Sequence, residues 1–140
     1  MGDCVFCDIV SRDAPGSIVY EDDGVLAMMT LRPMSRGHTL VIPKDHAASL
    51  SELTKETGGK LFETGMDLAQ AIRSSELECE GINFWLADGT AAGQEVFHVH
   101  LHVLPRYQQD GIELVGPRFD LSRSQMDNDA ETIKKGLDKN

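Results

Sequence analysis

The chain has 140 residues, 41% of them hydrophobic and 26% charged, which is the composition and size of one globular domain with an ordinary core. A formal charge of −10 at pH 7 excludes a protein that binds nucleic-acid backbones over a basic face, and it requires local donors for any phosphate-bearing ligand. No apolar run approaches the roughly 20 residues of a membrane helix and the N-terminus lacks a signal pattern, so a cytoplasmic protein with no membrane partner is expected.

Cys4-Val5-Phe6-Cys7 opens the chain. Two thiols at i and i+3 are half of a zinc site, or equally two small residues of a terminal turn. The three cysteines do not make a closed disulfide set, and a reducing compartment keeps them as thiols or metal ligands. Ala14 to Ser17 reads as a turn, Ile18 to Tyr20 as a strand, and the acidic Glu21 to Gly24 as a hairpin loop. Val25 to Met29 and the β-branched His38 to Ile42 are two further strands, with Pro33 to Gly37 between them and Pro43 closing the second. From Ser49 the period becomes helical. Thr54 is a fitting N-cap, and Leu61, Leu68 and Ile72, with Gly65 and Ala69, form one stripe. Gly81 to Leu86 is a fourth strand. After the histidine-rich strand the chain is polar, with a short helix expected over Asn128 to Leu137. Strands around one long helix predict an α+β fold with a mainly antiparallel sheet.

Phe97 to Leu104 alternates histidine with apolar residues, and it holds three of the five histidines of the chain. In an extended strand His98, His100 and His102 share one face, while Val99, Leu101 and Val103 anchor the other. Three readings are open. One ion could bind the imidazoles, although four residues of strand separate the outer Cα atoms by about 13 Å. The row could instead divide catalytic labour among ligand, nucleophile and proton carrier, or it could be a structural polar face. The preceding loop, Asp88 to Val96, favours catalysis. Gly93 permits a positive φ, and the Gln94 amide with the N–H groups of Glu95 and Val96 would gather donors for an anion.

Gly93-Gln94-Glu95-Val96-Phe97-His98-Val99-His100-Leu101-His102-Val103-Leu104-Pro105-Arg106 resembles the signature of the histidine triad (HIT) family, and Cys4 to Val10 and Arg36 to Lys44 fit it as well. The resemblance implies a compact α+β HIT fold over residues 1–107, with a mainly antiparallel five-stranded sheet, one long helix and a short one. Residues 108–140 would be an extension contributing to a dimer or to the rim of the site. It implies a nucleotidyl hydrolase or transferase that cleaves at an α-phosphate. His100 would be the nucleophile, and His102 would contact phosphate or aid the leaving group. The nucleotide would lie against Thr30, Gly93, Gln94, Glu95, Val96 and His102. A purine nucleotide or nucleotide conjugate is the implied ligand and a homodimer the implied assembly, with no organic cofactor.

Cys4 and Cys7 also resemble the cysteine pair of the bacterial zinc-containing branch of the family. That likeness implies a structural zinc ion held by Cys4, Cys7, His46 and His98. His38 would be either a hydrogen-bonding partner of the triad or a core histidine. Cys79 has no evident partner. Thr30, Ala87 and Glu95 depart from the residues that the family pattern leads one to expect, Asp or Asn, Asn or Gln, and Ser or Thr respectively. A nucleotide-binding protein stabilised by zinc, with little turnover, is therefore the alternative to the enzyme.

Overall fold

The computed structural model describes residues 3–139 and divides after Asp110 into two compact units. In the first unit, β1 (Ile18–Glu21), β2 (Val25–Met29), β3 (Thr39–Pro43), β4 (Gly81–Trp85) and β5 (Leu101–Arg106) form one antiparallel sheet in the order β1-β2-β3-β5-β4. Strand alternation divides the buried residues between two faces. Val25, Ala27, Val41, Leu101 and Val103 pack with Leu61, Leu68 and Ile72 of helix α2 (Lys55–Arg73). On the other face, Leu26, Met28, Leu40 and Ile42 pack against Phe6 and Ile9 of helix α1 (Val5–Val10). β2 and β3 read as continuous apolar runs because both of their faces are covered.

The Thr54 hydroxyl caps α2 by accepting the Thr57 N–H at 3.1 Å. Gly65 brings the helix close to the sheet, since a Cβ there would stand 3.1 Å from both Leu101 Cδ2 and Phe84 Cε2.

The expected pair of one long helix and one short one becomes three helices, two of them long. α1 was hidden because six residues are too few to display a helical period. Its N-cap is Cys4, whose sulfur accepts the Cys7 N–H at 3.4 Å. In the second unit, α3 runs over Arg123–Leu137, not from Asn128. Its start is set by a capping box in which Ser122 and Gln125 each bond the other's backbone N–H.

Two strand boundaries also differ from expectation. Pro43 is the last residue of β3, and Pro105 lies inside β5. The β3–β5 pairing stops at Thr39↔Val103, and the Pro105 carbonyl on that side accepts from the Ser35 hydroxyl at 2.7 Å. A missing N–H there costs no ladder bond. At the other end β5 begins at Leu101, so His98 and His100 precede the strand. Their segment leaves β3 because the Val99 N–H bonds the Ala47 carbonyl at 2.8 Å and the Pro43 carbonyl is taken by the His98 ring at 2.8 Å. Burial still alternates in its effect: Val99 joins the core under α2, while the histidines sit on the α1 side of the sheet.

Candidate active site and metal centre

On that side a cavity of about 360 Å³ opens among α1, the β2–β3 loop and the turn before the histidines. His38, His100 and His102 line it, together with Thr30, Glu95 and Val96. The imidazole rings of His100 and His102 have centroids 4.9 Å apart. Phe6 stands edge-on to His100 at 5.2 Å and to His98 at 5.7 Å.

The hydrogen bonds assign a tautomer, and with it a task, to each ring. His100 Nδ1 lies 2.8 Å from the His98 carbonyl oxygen. A carbonyl only accepts, so Nδ1 carries the proton and the lone pair is on Nε2. His38 Nδ1 accepts the Met34 N–H at 3.1 Å, so His38 Nε2 carries a proton and donates it to His102 Nδ1, 2.9 Å away. His102 is thereby left with an N–H at Nε2. One ring thus offers a lone pair and its neighbour offers a proton. Burial, before any other cause, lowers the proton affinity of His38, His98 and His100. Burial and the neighbouring His100 and His38 rings bring His102 down to about 4. The cluster is accordingly neutral at physiological pH, and a neutral imidazole is a competent nucleophile without a separate base.

The loop before the histidines is built by Gln94, which is 4% exposed. Its amide donates to the Ala48 carbonyl at 2.9 Å and the Val96 carbonyl at 3.1 Å. Its oxygen accepts the Gly89 N–H at 2.7 Å. In this arrangement the side chain shapes the loop and does not line the cavity. Gly93 has a φ of 89°, a left-handed conformation that disfavours any side chain. Among the described residues, the N–H groups of Glu95 and Val96 donate to no protein acceptor, and both residues face the cavity. Thr30 and Ala87 line the cavity as well. The Glu95 carboxylate pairs with Arg32 at 3.6 Å.

Beside the cavity, one ligand atom from each of Cys4, Cys7, His46 and His98 lies within 4.8 Å of all the others. His46 Nδ1 and His98 Nδ1 are 3.2 Å apart. Cys4 Sγ is 3.3 Å from His98 Nδ1, while Cys7 Sγ is 3.4 Å from His46 Nδ1 and 3.5 Å from His98 Nδ1. A tetrahedron with Zn–N bonds of about 2.0–2.1 Å and Zn–S bonds of about 2.3 Å has N···N edges of about 3.3 Å and N···S edges of about 3.6 Å. The four residues fit a divalent metal of this kind. His98 Nε2 donates to the Pro43 carbonyl at 2.8 Å, which turns the Nδ1 lone pair towards the two sulfurs. Without a metal, burial and the adjacent Cys4 push the Cys7 thiol up to about 11, and a bound cation is what would deprotonate it. The His98 ring thus faces the two sulfurs and His46, and its carbonyl is what reaches His100.

Phe6 and Trp85 escaped the sequence reading. Trp85 packs at 5.8 Å on His102, and the only hint of Phe6 was its place between the two cysteines. Cys79 is half-buried against the core under α2 and lies outside both clusters.

The chain is similar to known proteins in sequence and in fold. The HIT domain model matches residues 11–109. The Bacillus subtilis protein named Protein hit is 39% identical over 137 residues, covering 96% of this chain and 94% of its own. A crystal structure of a HIT family member from the same species superposes with a TM-score of 0.88 over 96% of each chain. A Zn-bound histidine triad family protein from Mycobacterium smegmatis is 45% identical, with a TM-score of 0.77 over 88% of this chain and 86% of that one. The Arabidopsis thaliana protein named Adenylylsulfatase HINT3 is 35% identical over 108 residues, which is 77% of this chain and 54% of the relative. Matched by the family model over most of its length and by a relative over nearly all of it, this chain belongs to the histidine triad family.

Proposed function

We propose that the chain is a nucleotidyl hydrolase or transferase that cleaves a nucleoside phosphoramidate, nucleotidyl ester or dinucleoside polyphosphate at the α-phosphate. The observation that carries this reading is the bond from His100 Nδ1–H to the His98 carbonyl, because it leaves a lone pair on Nε2 beside the cavity. His100 Nε2 attacks phosphorus. A P–N bond forms as the bond to the leaving group breaks, and the departing atom accepts a hydrogen bond from His102 Nε2–H and takes its proton from a solvent water, which becomes hydroxide. That hydroxide then adds to phosphorus and breaks the P–N bond, releasing the nucleotide and His100 as the neutral imidazole, with His102 neutral throughout. The free N–H groups of Glu95 and Val96 receive the charge that develops on the phosphoryl oxygens. Val5, Phe6, Leu31 and Leu40 give the cavity an apolar wall that suits a purine.

A relative named for adenylylsulfate cleavage supports the reaction class, and the Zn-bound relative supports zinc at Cys4, Cys7, His46 and His98. Zinc there would be structural, tying α1 to the segment that carries His98. A homodimer belongs to the same reading. β4 is an edge strand, and near it Phe62 is 54%, Met66 57% and Trp85 39% exposed.

The test is incubation with adenosine 5′-phosphoramidate and with a dinucleoside polyphosphate. AMP release that falls by about a thousandfold or more in His100→Ala is expected for a lost nucleophile. Nucleotide binding without release from either substrate would instead favour a binding protein, a reading prompted by the exposed carboxylate of Glu95 at the cavity. Metal analysis of protein purified without added zinc should find one zinc per chain, and Cys4→Ser should lose it.

A further inference from the structure

Among the described residues that line the cavity, only Arg32 and Glu95 carry a full charge once the imidazoles are neutral. They come from different loops. Arg32 follows β2, whereas Glu95 precedes the histidine segment. Arg32 Nη1 meets Glu95 Oε2 at 3.6 Å, and the two side chains are 86% and 77% exposed. The pair is thus the exposed part of the cavity lining, while His100, 8% exposed, belongs to its buried part. An ion pair this long and this exposed is weak and readily exchanged.

We infer that Arg32 is the receptor for an anionic leaving group and that Glu95 is its competing counter-ion in the free protein. This rests on the nucleotidyl-transfer reading and singles out, among the substrates named there, those with an anionic leaving group, the nucleotidyl anhydrides. In-line attack by His100 Nε2 places the leaving group on the far side of phosphorus, and from the buried part of this cavity that side faces its exposed part. A phosphoramidate expels a neutral amine there. An anhydride expels a phosphate or sulfate, whose charge is otherwise opposed by a chain of net charge −10. The Arg32 guanidinium supplies the missing cation, and its planar fork matches two oxygens of a phosphate or sulfate. When Arg32 turns to that anion, Glu95 is released to solvent. Glu95 thus lowers affinity for anions without touching the reacting atoms, while its backbone N–H remains directed at the α-phosphate.

The test compares kcat/KM for an anhydride, adenosine 5′-phosphosulfate, with kcat/KM for adenosine 5′-phosphoramidate in the parent, Arg32→Gln, Glu95→Gln and the double variant. Arg32→Gln should lower the anhydride-to-phosphoramidate ratio about tenfold, through the KM for the anhydride, as expected for one charge-assisted contact. Glu95→Gln should raise the ratio, and the double variant should match Arg32→Gln. The effect of Arg32 should shrink in high salt. An unchanged ratio in Arg32→Gln overturns the assignment, as does an effect of Glu95→Gln that persists without Arg32. If the parent releases AMP from neither substrate, the catalytic reading fails by itself, and equilibrium binding still decides the role of Arg32. ADP should then bind more tightly than AMP in the parent and lose that advantage in Arg32→Gln. An advantage retained in the variant overturns the assignment.

Discussion

Replacing His38 by leucine tests the tautomer chain that gives His102 its proton. His38 is 2% exposed and makes two bonds, accepting from Met34 N–H at 3.1 Å and donating to His102 Nδ1 at 2.9 Å. Leucine fills a similar volume and makes neither. A buried polar group left without a partner costs about 1–3 kcal/mol. Met34 is 45% exposed and His102 half-buried, so both recover water in part and the total loss should be about 1–3 kcal/mol. The effect on His102 is separate. One neutral hydrogen bond is worth about 1 kcal/mol net, which holds the required tautomer in about fivefold excess. Without it the two tautomers of His102 approach equal population and kcat for adenosine 5′-phosphoramidate should fall by about twofold, while His38→Gln, which retains an N–H donor, should recover part of the loss. Urea unfolding reads the first effect and single-turnover kinetics the second. Nitrogen chemical shifts of the histidine rings read the tautomer directly. A protonated Nδ1 on His102 in the parent, or an unchanged kcat in His38→Leu, would refute the reasoning.

Two further outcomes follow from burial and packing. His38 and His102 hold protons less tightly in the folded chain, His102 down to about 4. Between that value and the ordinary imidazole pKa of about 6.5, the unfolded chain binds more protons. The stability that these rings contribute is therefore complete above about pH 6.5 and is lost as the pH falls towards 4. In Cys4→Ser, where proton competition with metal is removed, the urea midpoint should fall between pH 7 and pH 5; a midpoint independent of pH over that range would contradict the direction of the shifts. Gly65→Val forces atoms into a site where a single Cβ already stands 3.1 Å from Leu101 and Phe84. Overpacking of this kind costs about 1–3 kcal/mol, and thermal unfolding of the variant should show a lower midpoint. An unchanged midpoint would mean that α2 can move away from β5 at no cost.

Much of the fold was legible locally. The apolar runs of β2 and β3, the stripe Leu61–Leu68–Ile72 and the cap at Thr54 are short-range patterns, and each maps to an observed element. Cys4-Val5-Phe6-Cys7 is likewise a short-range pattern, and its two sulfurs lie beside the His46 and His98 rings. The capping box at Ser122 and Gln125 was also written in the chain and could have moved the start of α3. α1 was not legible, because six residues show no period and its helical state depends on burying Phe6 and Ile9 against the sheet.

The alternating histidines separate what the chain determines alone from what the fold decides. Alternation by itself placed apolar residues on one side and imidazoles on the other, since strand-like backbone sends successive side chains in opposite directions. It also determined that imidazoles and thiols, the groups able to attack phosphorus or bind zinc, are present in the right number. Which ring does which task depended on partners far away in sequence. His98 is turned by the Pro43 carbonyl towards Cys4 and Cys7, His102 is oriented by His38, and His100 is fixed by a backbone carbonyl that only this local path presents. The Gln94 side chain is held by Ala48, Val96 and Gly89 instead of the cavity. A hydrogen bond selects a tautomer only when both partners are brought within about 3 Å, and that distance is set by the packing of α1, the sheet and the β2–β3 loop.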